Sequence, residues 1–289
     1  MLPPNLTPTP AVSSSCLAGV AAVLIAGTAL ANEFWLEPAQ FFVLPGATVH
    51  VRRLTGPDFR GQAWAGRSNR VTQLLHYAPG AEAANLLPPA TPPDTLATTL
   101  TLRQSGTHLV ALVTNNAFTT LPAAQFTAYL QTEGLDYALA QRQLRGQTGQ
   151  PGREAYRRCA KTLIQVGPAA APDTARTWAR VVGQPLELIP EQNPPALASG
   201  AGLTVRVLAE GRPVAGQMLR LWYRGPTSLP RVISTLRSNQ NGRVLFRLSG
   251  AGEYLVGAVR MVPAPATQSA DWQSTWSTLT FGVSKQKRP

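Results

Sequence analysis

Cysteine, histidine and lysine are scarce in this 289-residue chain: it has two cysteines and three histidines, and of its 26 basic residues only Lys161, Lys285 and Lys287 are lysine. Charged residues make up 14% while 44% are hydrophobic, which excludes a solvated, disordered chain. There is no G-x-S-x-G nucleophile elbow, no Gly-rich phosphate loop and no H-E-x-x-H pair, and the 14 acidic residues are scattered singly. These gaps speak against a serine hydrolase, an NTPase, a zincin and a glycosidase, and the chain reads as non-enzymatic. Heptads and internal repeats are lacking too. The formal charge of +12 is spread over both halves rather than gathered in a polybasic arm, so nucleic acid is not expected as a partner.

What is present begins with an uncharged start. Residues 1–31 contain no Asp, Glu, Lys or Arg, and the small, apolar run from Cys16 closes on Ala29-Leu30-Ala31, an A-x-A cleavage pattern. The run is shorter than the ~20 residues that span a bilayer. A secretory signal over 1–31 is therefore expected, with a mature chain starting at Asn32, no stable membrane span after cleavage, and a periplasmic or secreted location. Only Cys159 then remains, so no intramolecular disulfide can form; in its alternating setting, YRRCAKTLIQV, it reads as a buried, inert thiol.

The 24 glycines and 26 prolines punctuate many short strands. Strands are expected at 41–44, 48–52, 71–77, 98–103, 108–114 and 156–166, with a Pro-rich loop from Ala78 to Asp94. Phe126, Tyr129 and Leu130 repeat at helical spacing and Gly134 interrupts, which predicts a helical hairpin over about 121–145. A linker at 167–172 is one place to divide the chain, and the Pro-rich punctuation near Asn193 is the preferred one. Beyond it, strands at 203–208, 218–222, 232–236, 244–248, 254–259 and 276–281, with hairpin signals at Glu210-Gly211 and Asn241-Gly242, predict an immunoglobulin-like sandwich. The expected layout is thus mainly β: an N-terminal β-sandwich-like domain with a helical insertion (32–193), an immunoglobulin-like β-sandwich (194–283) and a basic tail (284–289).

Two groups of side chains are candidates for binding. His50, His76 and His108 are too far apart for a local metal motif, and each alone reads as a solvated or hydrogen-bonded strand residue; if their strands are neighbours, they converge with Glu33 or Glu37 on a metal. The densest basic stretch holds Arg142, Arg145, Arg153, Arg157, Arg158 and Lys161 against Glu154 alone, a segment that could attract an anion or an acidic partner. Phe34, Trp35, Phe41, Phe42, Trp272 and Trp276 read as core anchors for the terminal strands, with a sugar- or peptide-stacking surface as the alternative.

Several separated blocks in one order carry a resemblance: NEFWLEP (Asn32 to Pro38), FTAYLQTEGL (Phe126 to Leu135), REAYRRCAKTLIQVG (Arg153 to Gly167), GQPLELIPEQNP (Gly183 to Pro194) and DWQSTWSTLTF (Asp271 to Phe281). Together they resemble the bacterial periplasmic family called domain of unknown function 4198. The resemblance implies two β-rich domains, the second similar to carboxypeptidase-regulatory or immunoglobulin-like modules, and a link to nickel uptake. It also implies a terminal chelate for Ni(II) or Cu(II), since members typically begin Ala-His-Asp/Glu-Phe-Trp. Here Asn32 stands in place of that His, and the block Gly56 to Gly61 has no His. Two functions follow as expectations. One is a non-enzymatic accessory of transition-metal uptake, working with metal-transport components and using Asn32, Glu33, His50, His76 and His108. The other is an interaction module for an envelope protein or an anionic envelope component.

Overall fold

The computed structural model describes residues 32–66, 68–87, 97–169 and 173–285. The expected leader with Cys16, the later part of the Pro-rich loop (88–96), part of the linker (170–172) and most of the basic tail (286–289) lie outside the described residues. In chain order the strands are β1 (Glu33–Pro38), β2 (Phe42–Val43), β3 (Ala47–Gly56), β4 (Gln62–Ala63), β5 (Val71–Tyr77), β6 (Ala84–Asn85), β7 (Ala97–Leu102), β8 (Gly106–Thr114) and β9 (Ala117–Leu121). Helices α1 (Ala123–Thr132) and α2 (Asp136–Leu144) follow, then β10 (Gly152–Val166), β11 (Leu186–Pro190), β12 (Gly202–Ala209) and β13 (Arg212–Pro213). The chain closes with β14 (Met218–Arg224), β15 (Arg231–Arg237), β16 (Arg243–Arg247), β17 (Gly252–Pro263) and β18 (Trp272–Val283). The protein is mainly β, as its composition and turn spacing predict.

The described strands form three sheets. A long one runs β15-β14-β17-β18-β10-β8-β5-β6, with β2 and β9 also on β10. On one of its faces lies a sheet in which β3 pairs with β1, β4 and β7; on the other lies a sheet in which β12 pairs with β11, β13 and β16. Each interface is an apolar layer. Phe34, Leu36, Val49, Val51, Leu100 and Leu102 of the first small sheet meet Leu74, Val110, Leu112, Ala160 and Ile164 of the long one. Leu186, Leu188, Leu203, Val205, Val207, Val244 and Phe246 of the second meet Leu219, Leu221, Tyr254, Val256, Leu279 and Phe281. Covered on both faces, β18 is buried at every position, and its hydroxyls bond inward: Thr278 donates to Phe34 O (2.7 Å) and Thr280 to Leu36 O (2.6 Å).

The expected boundary near Asn193 falls inside this continuous structure. β10, before it, and β18, after it, are parallel neighbours from Glu154↔Trp272 to Thr162↔Thr280, and β11, before it, pairs with β12, after it. The punctuation at Pro185, Pro190, Pro194 and Pro195 marks the ends of β11, a strand that the sequence pattern does not announce. Asn241-Gly242 also departs from expectation. It turns the chain from β15 of the long sheet to β16 of the small one, and β16 pairs with β12, so the turn is a corner between sheets rather than a hairpin. Glu210-Gly211 does join paired strands, with both residues at positive φ (47° and 76°).

The helical hairpin forms where the periodicity places it. Leu135 N–H closes on Leu130 O at 2.9 Å around Gly134, whose φ is 61°, a left-handed cap that separates α1 from α2. Phe126, Tyr129, Leu130, Leu135 and Ala138 pack on Val259, Met261, Trp272 and Trp276, so the hairpin covers the end of the long sheet.

Candidate functional site

Alternation along β12 sends Leu203, Val205 and Val207 into the core and leaves Thr204 and Arg206 on the outer face of the small sheet; on β16, Val244 and Phe246 point in and Arg243 points out. Beside β11 and against β8 of the long sheet passes a strap, residues 173–184. Its 3-10 turn Thr177–Ala179 buries Thr177 and Trp178 and leaves Arg176 and Arg180 exposed. Between the two runs a groove of about 830 Å³, lined among others by Arg176, Arg180, Arg206, Arg243, Glu191 and Ile189, with the loop at Ala78 to Ala81 closing one side. Four arginines and one glutamate thus line the groove.

That carboxylate is committed: Arg243 Nε donates to Glu191 Oε1 at 2.7 Å. Arg180 rests its guanidinium over the Tyr77 ring at 4.7 Å. Arg206 is half-buried, and its Nε makes no hydrogen bond among the described residues. Beneath the groove sits a buried ion pair that holds the strap in place. Lys161 bonds Glu187 and also donates to Arg180 O (3.3 Å), while Glu187 accepts the N–H groups of Val182 (2.7 Å), Gly183 (3.0 Å) and Gln184 (3.2 Å). At the other end of the strap, Asp173 Oδ2 accepts Thr107 N–H at 2.7 Å.

The histidines divide. His76 on β5 and His108 on β8 lie on adjacent strands, with His76 Nε2 2.9 Å from His108 Nδ1 and His108 Nε2 2.7 Å from Gln104 O. His50 lies on β3 of a different sheet, exposed, and bonds Thr99 Oγ1 at 3.1 Å. The three therefore do not converge, and among the described residues no group of three or more His, Cys, Asp or Glu could hold a metal ion. Asn32 and Glu33 stand apart from both. Asn32 O accepts from Arg158 (3.0 Å), and Glu33, on the far side of β1, lines a small cavity with Glu133, Arg220 and Trp222.

The basic stretch is continuous in sequence and dispersed in space. Arg142 is buried, donates to Gln150 O and stacks over Phe126; Arg145 is exposed at the end of α2. Arg153 pairs with Asp271, Arg157 with Glu210 and Lys161 with Glu187, and buried Arg158 lies over Phe34 and Tyr156. The physical reason is that β10 is a central strand, so its charged side chains must find partners within the fold.

Residues 29–261 match the family described as "Domain of unknown function (DUF4198)". The chain belongs to the DUF4198 family. No curated protein matches it. Among solved structures, a marsupial T cell receptor is similar at 11% identity with a TM-score of 0.25, covering 89% of this chain and 74% of the receptor chain.

In this DUF4198 protein the groove arginines are residues that sequence reasoning missed. Arg206 and Arg243 lie 37 positions apart by their numbers and meet only through the β12–β16 register, where they are direct partners. The signal that exists in the sequence is weak: both sit at the outward positions of alternating strands.

Two further acids of the DUF4198 chain are shifted by burial. Desolvation lifts Glu33 to about 7, helped by Glu133 and opposed by its own backbone N–H and Arg220. It also lifts Glu154 to about 7, although Ser274, Tyr129 (3.1 Å) and Arg158 all favour the charged form. Both acids are buried.

Proposed function

We propose that this DUF4198 protein is a non-enzymatic binding module that works outside the cytosol and holds an anionic ligand in the groove between the strap and the outer face of the small sheet. The observation that carries this reading is the charge balance of the groove, four arginines around one already paired glutamate, in a concavity large enough for a small molecule or for part of an envelope component. The A-x-A pattern at Ala29-Leu30-Ala31 supports the location. No helix of the described residues is long and apolar enough to cross a membrane.

A role in metal uptake, implied by the family resemblance, has less support. His76 and His108 spend three of their four ring nitrogens on each other and on Gln104 O, and His50 belongs to another sheet.

Calorimetric titration of the purified protein with sulfate at low ionic strength, and separately with Ni(II), Cu(II) and Zn(II), tests the proposal. Sulfate heat that weakens with salt and disappears in Arg176→Ala/Arg206→Ala is the expected result. No anion heat sinks it, and metal heat abolished by replacing His76 or His108 restores the uptake role.

A further inference from the structure

The groove has two separate cationic walls, and their construction defines the shape of what they hold. On the sheet wall Arg206 and Arg243 are directly opposed in the antiparallel ladder, side by side on one face. Like charges at directly opposed positions repel. Glu191 offsets only Arg243, at 2.7 Å, and Arg206 Nε has no hydrogen-bond partner among the described residues. On the strap wall Arg176 takes a left-handed backbone conformation (φ 49°) one residue before the turn that buries Thr177 and Trp178, and Arg180 follows directly after that turn. Arg176 and Arg180 make no ion pair with any described carboxylate. The strap is fixed from below, by Lys161 at Arg180 O and by Asp173 at Thr107 N–H, so this wall stands at a set distance from the sheet.

Apart from the arginines and Glu191 the lining is uncharged: small or aliphatic at Ala78, Gly80, Ala81 and Ile189, neutral and polar at Thr177 and Gln192. Neither an aromatic side chain nor a second carboxylate lines the groove. The geometry points to a two-ended oxyanion as the ligand, a small molecule with one carboxylate or phosphate held by Arg206 and Arg243 and a second held by Arg176 and Arg180. A guanidinium fork matches either group bidentately, and carboxylate and phosphate share this chemistry. An oxyanion seated on the sheet wall offsets the repulsion between Arg206 and Arg243. A short uncharged spacer fits the small residues in the middle. This inference rests on the proposed anion-binding role of the groove and adds the span and the number of charged ends.

The test compares one-ended and two-ended anionic probes on the full purified protein. Acetate is a one-ended monoanion, sulfate a compact dianion, succinate a two-ended dicarboxylate and pyrophosphate a two-ended phosphate. Succinate or pyrophosphate is expected to bind at least about tenfold more tightly than sulfate, and whichever does so identifies the end groups. Arg206→Gln and Arg176→Gln, one on each wall, should each remove that preference, so that in either variant the two-ended probe binds within about threefold of sulfate. If Arg206→Gln does not fold, Arg243→Gln probes the same wall. Equal affinity for sulfate and both two-ended probes, or a preference that only one wall controls, overturns the two-ended ligand and leaves anion binding standing. Absence of binding by all four probes overturns both.

Discussion

His76 and His108 form a hydrogen-bonded pair of neutral imidazoles, their rings stacked 12° from parallel with centroids 5.1 Å apart. Gln104 O can only accept, so His108 Nε2 carries the hydrogen and its Nδ1 presents a lone pair to His76 Nε2–H. Protonating either ring puts a charge in a desolvated place. Burial, and then the neighbouring His108, push His76 down to about 4; burial also lowers His108, against the opposing pull of Gln104 O and Asp173.

The pair makes stability depend on pH with a definite sign. An unfolded histidine titrates near 6.5, so between about 4 and 6.5 the unfolded state binds more protons than the native one. The pair's contribution to stability therefore rises with pH through that window and is flat above it. Urea unfolding of His76→Gln should lack up to about 3 kcal/mol of this rise, the equivalent of a shift of that size. An unchanged slope would show that His76 binds its proton equally in the native and unfolded states.

Glu33 and Glu154 act in the opposite sense. Each is raised from 4.5 to about 7, chiefly by desolvation. Between those values the native state holds the extra proton, so stability is greatest below about 4.5 and is lost as pH rises to 7. Glu33→Gln, which keeps the shape and never ionises, should flatten the fall by up to about 3 kcal/mol when unfolding is followed from pH 4.5 to 8. Because these windows overlap that of the histidines, the wild-type curve alone hides both slopes, and single variants expose them.

Local pattern was legible in the sequence where one element decided it. Thr48 to Arg52 alternates and lies in β3; Phe126, Tyr129 and Leu130 lie on the buried face of α1, and Gly134 ends it. What alternation could not reveal was which strands pair. Arg157, Arg158 and Lys161 look like a basic patch in a linear reading, but the partners that neutralise or cover them, Glu210, Phe34 and Glu187, come from remote elements. The groove was illegible for the same reason, since Arg206 meets Arg243 through register and meets the strap through layer packing. β11 was hidden by its flanking prolines, which in a single strand mark the ends and need not mark a domain boundary.

Lys161 and Glu187 form a fully buried ion pair, and the two ends are not equivalent. Removing the ammonium leaves a carboxylate that still accepts three backbone N–H groups; removing the carboxylate leaves an ammonium and those three donors without their acceptor. Breaking a buried pair costs about 3–5 kcal/mol, so Lys161→Met should fall at the lower end and Glu187→Leu at or beyond the upper end. Chemical denaturation of the two variants checks the order, and equal losses would mean that the backbone donors contribute nothing.

Cys159 supplies a prediction about both the fold and the leader. Its thiol is 1% exposed on central strand β10, and burial pushes it up to about 11, against the pull of the Leu186 backbone, Arg157 and Lys161. At pH 8 only about one molecule in a thousand carries the thiolate, the nucleophilic form, and a reagent cannot reach even that one without opening the sheet. A disulfide reagent should therefore leave the native protein unmodified over a time in which the chain in concentrated guanidinium chloride reacts completely. The denatured count then reads the N-terminus: one thiol per chain if maturation starts at Asn32, two if Cys16 is retained. Fast reaction of the native mature chain, abolished by Cys159→Ala, would show that the centre of the long sheet opens far more readily than its two covered faces imply.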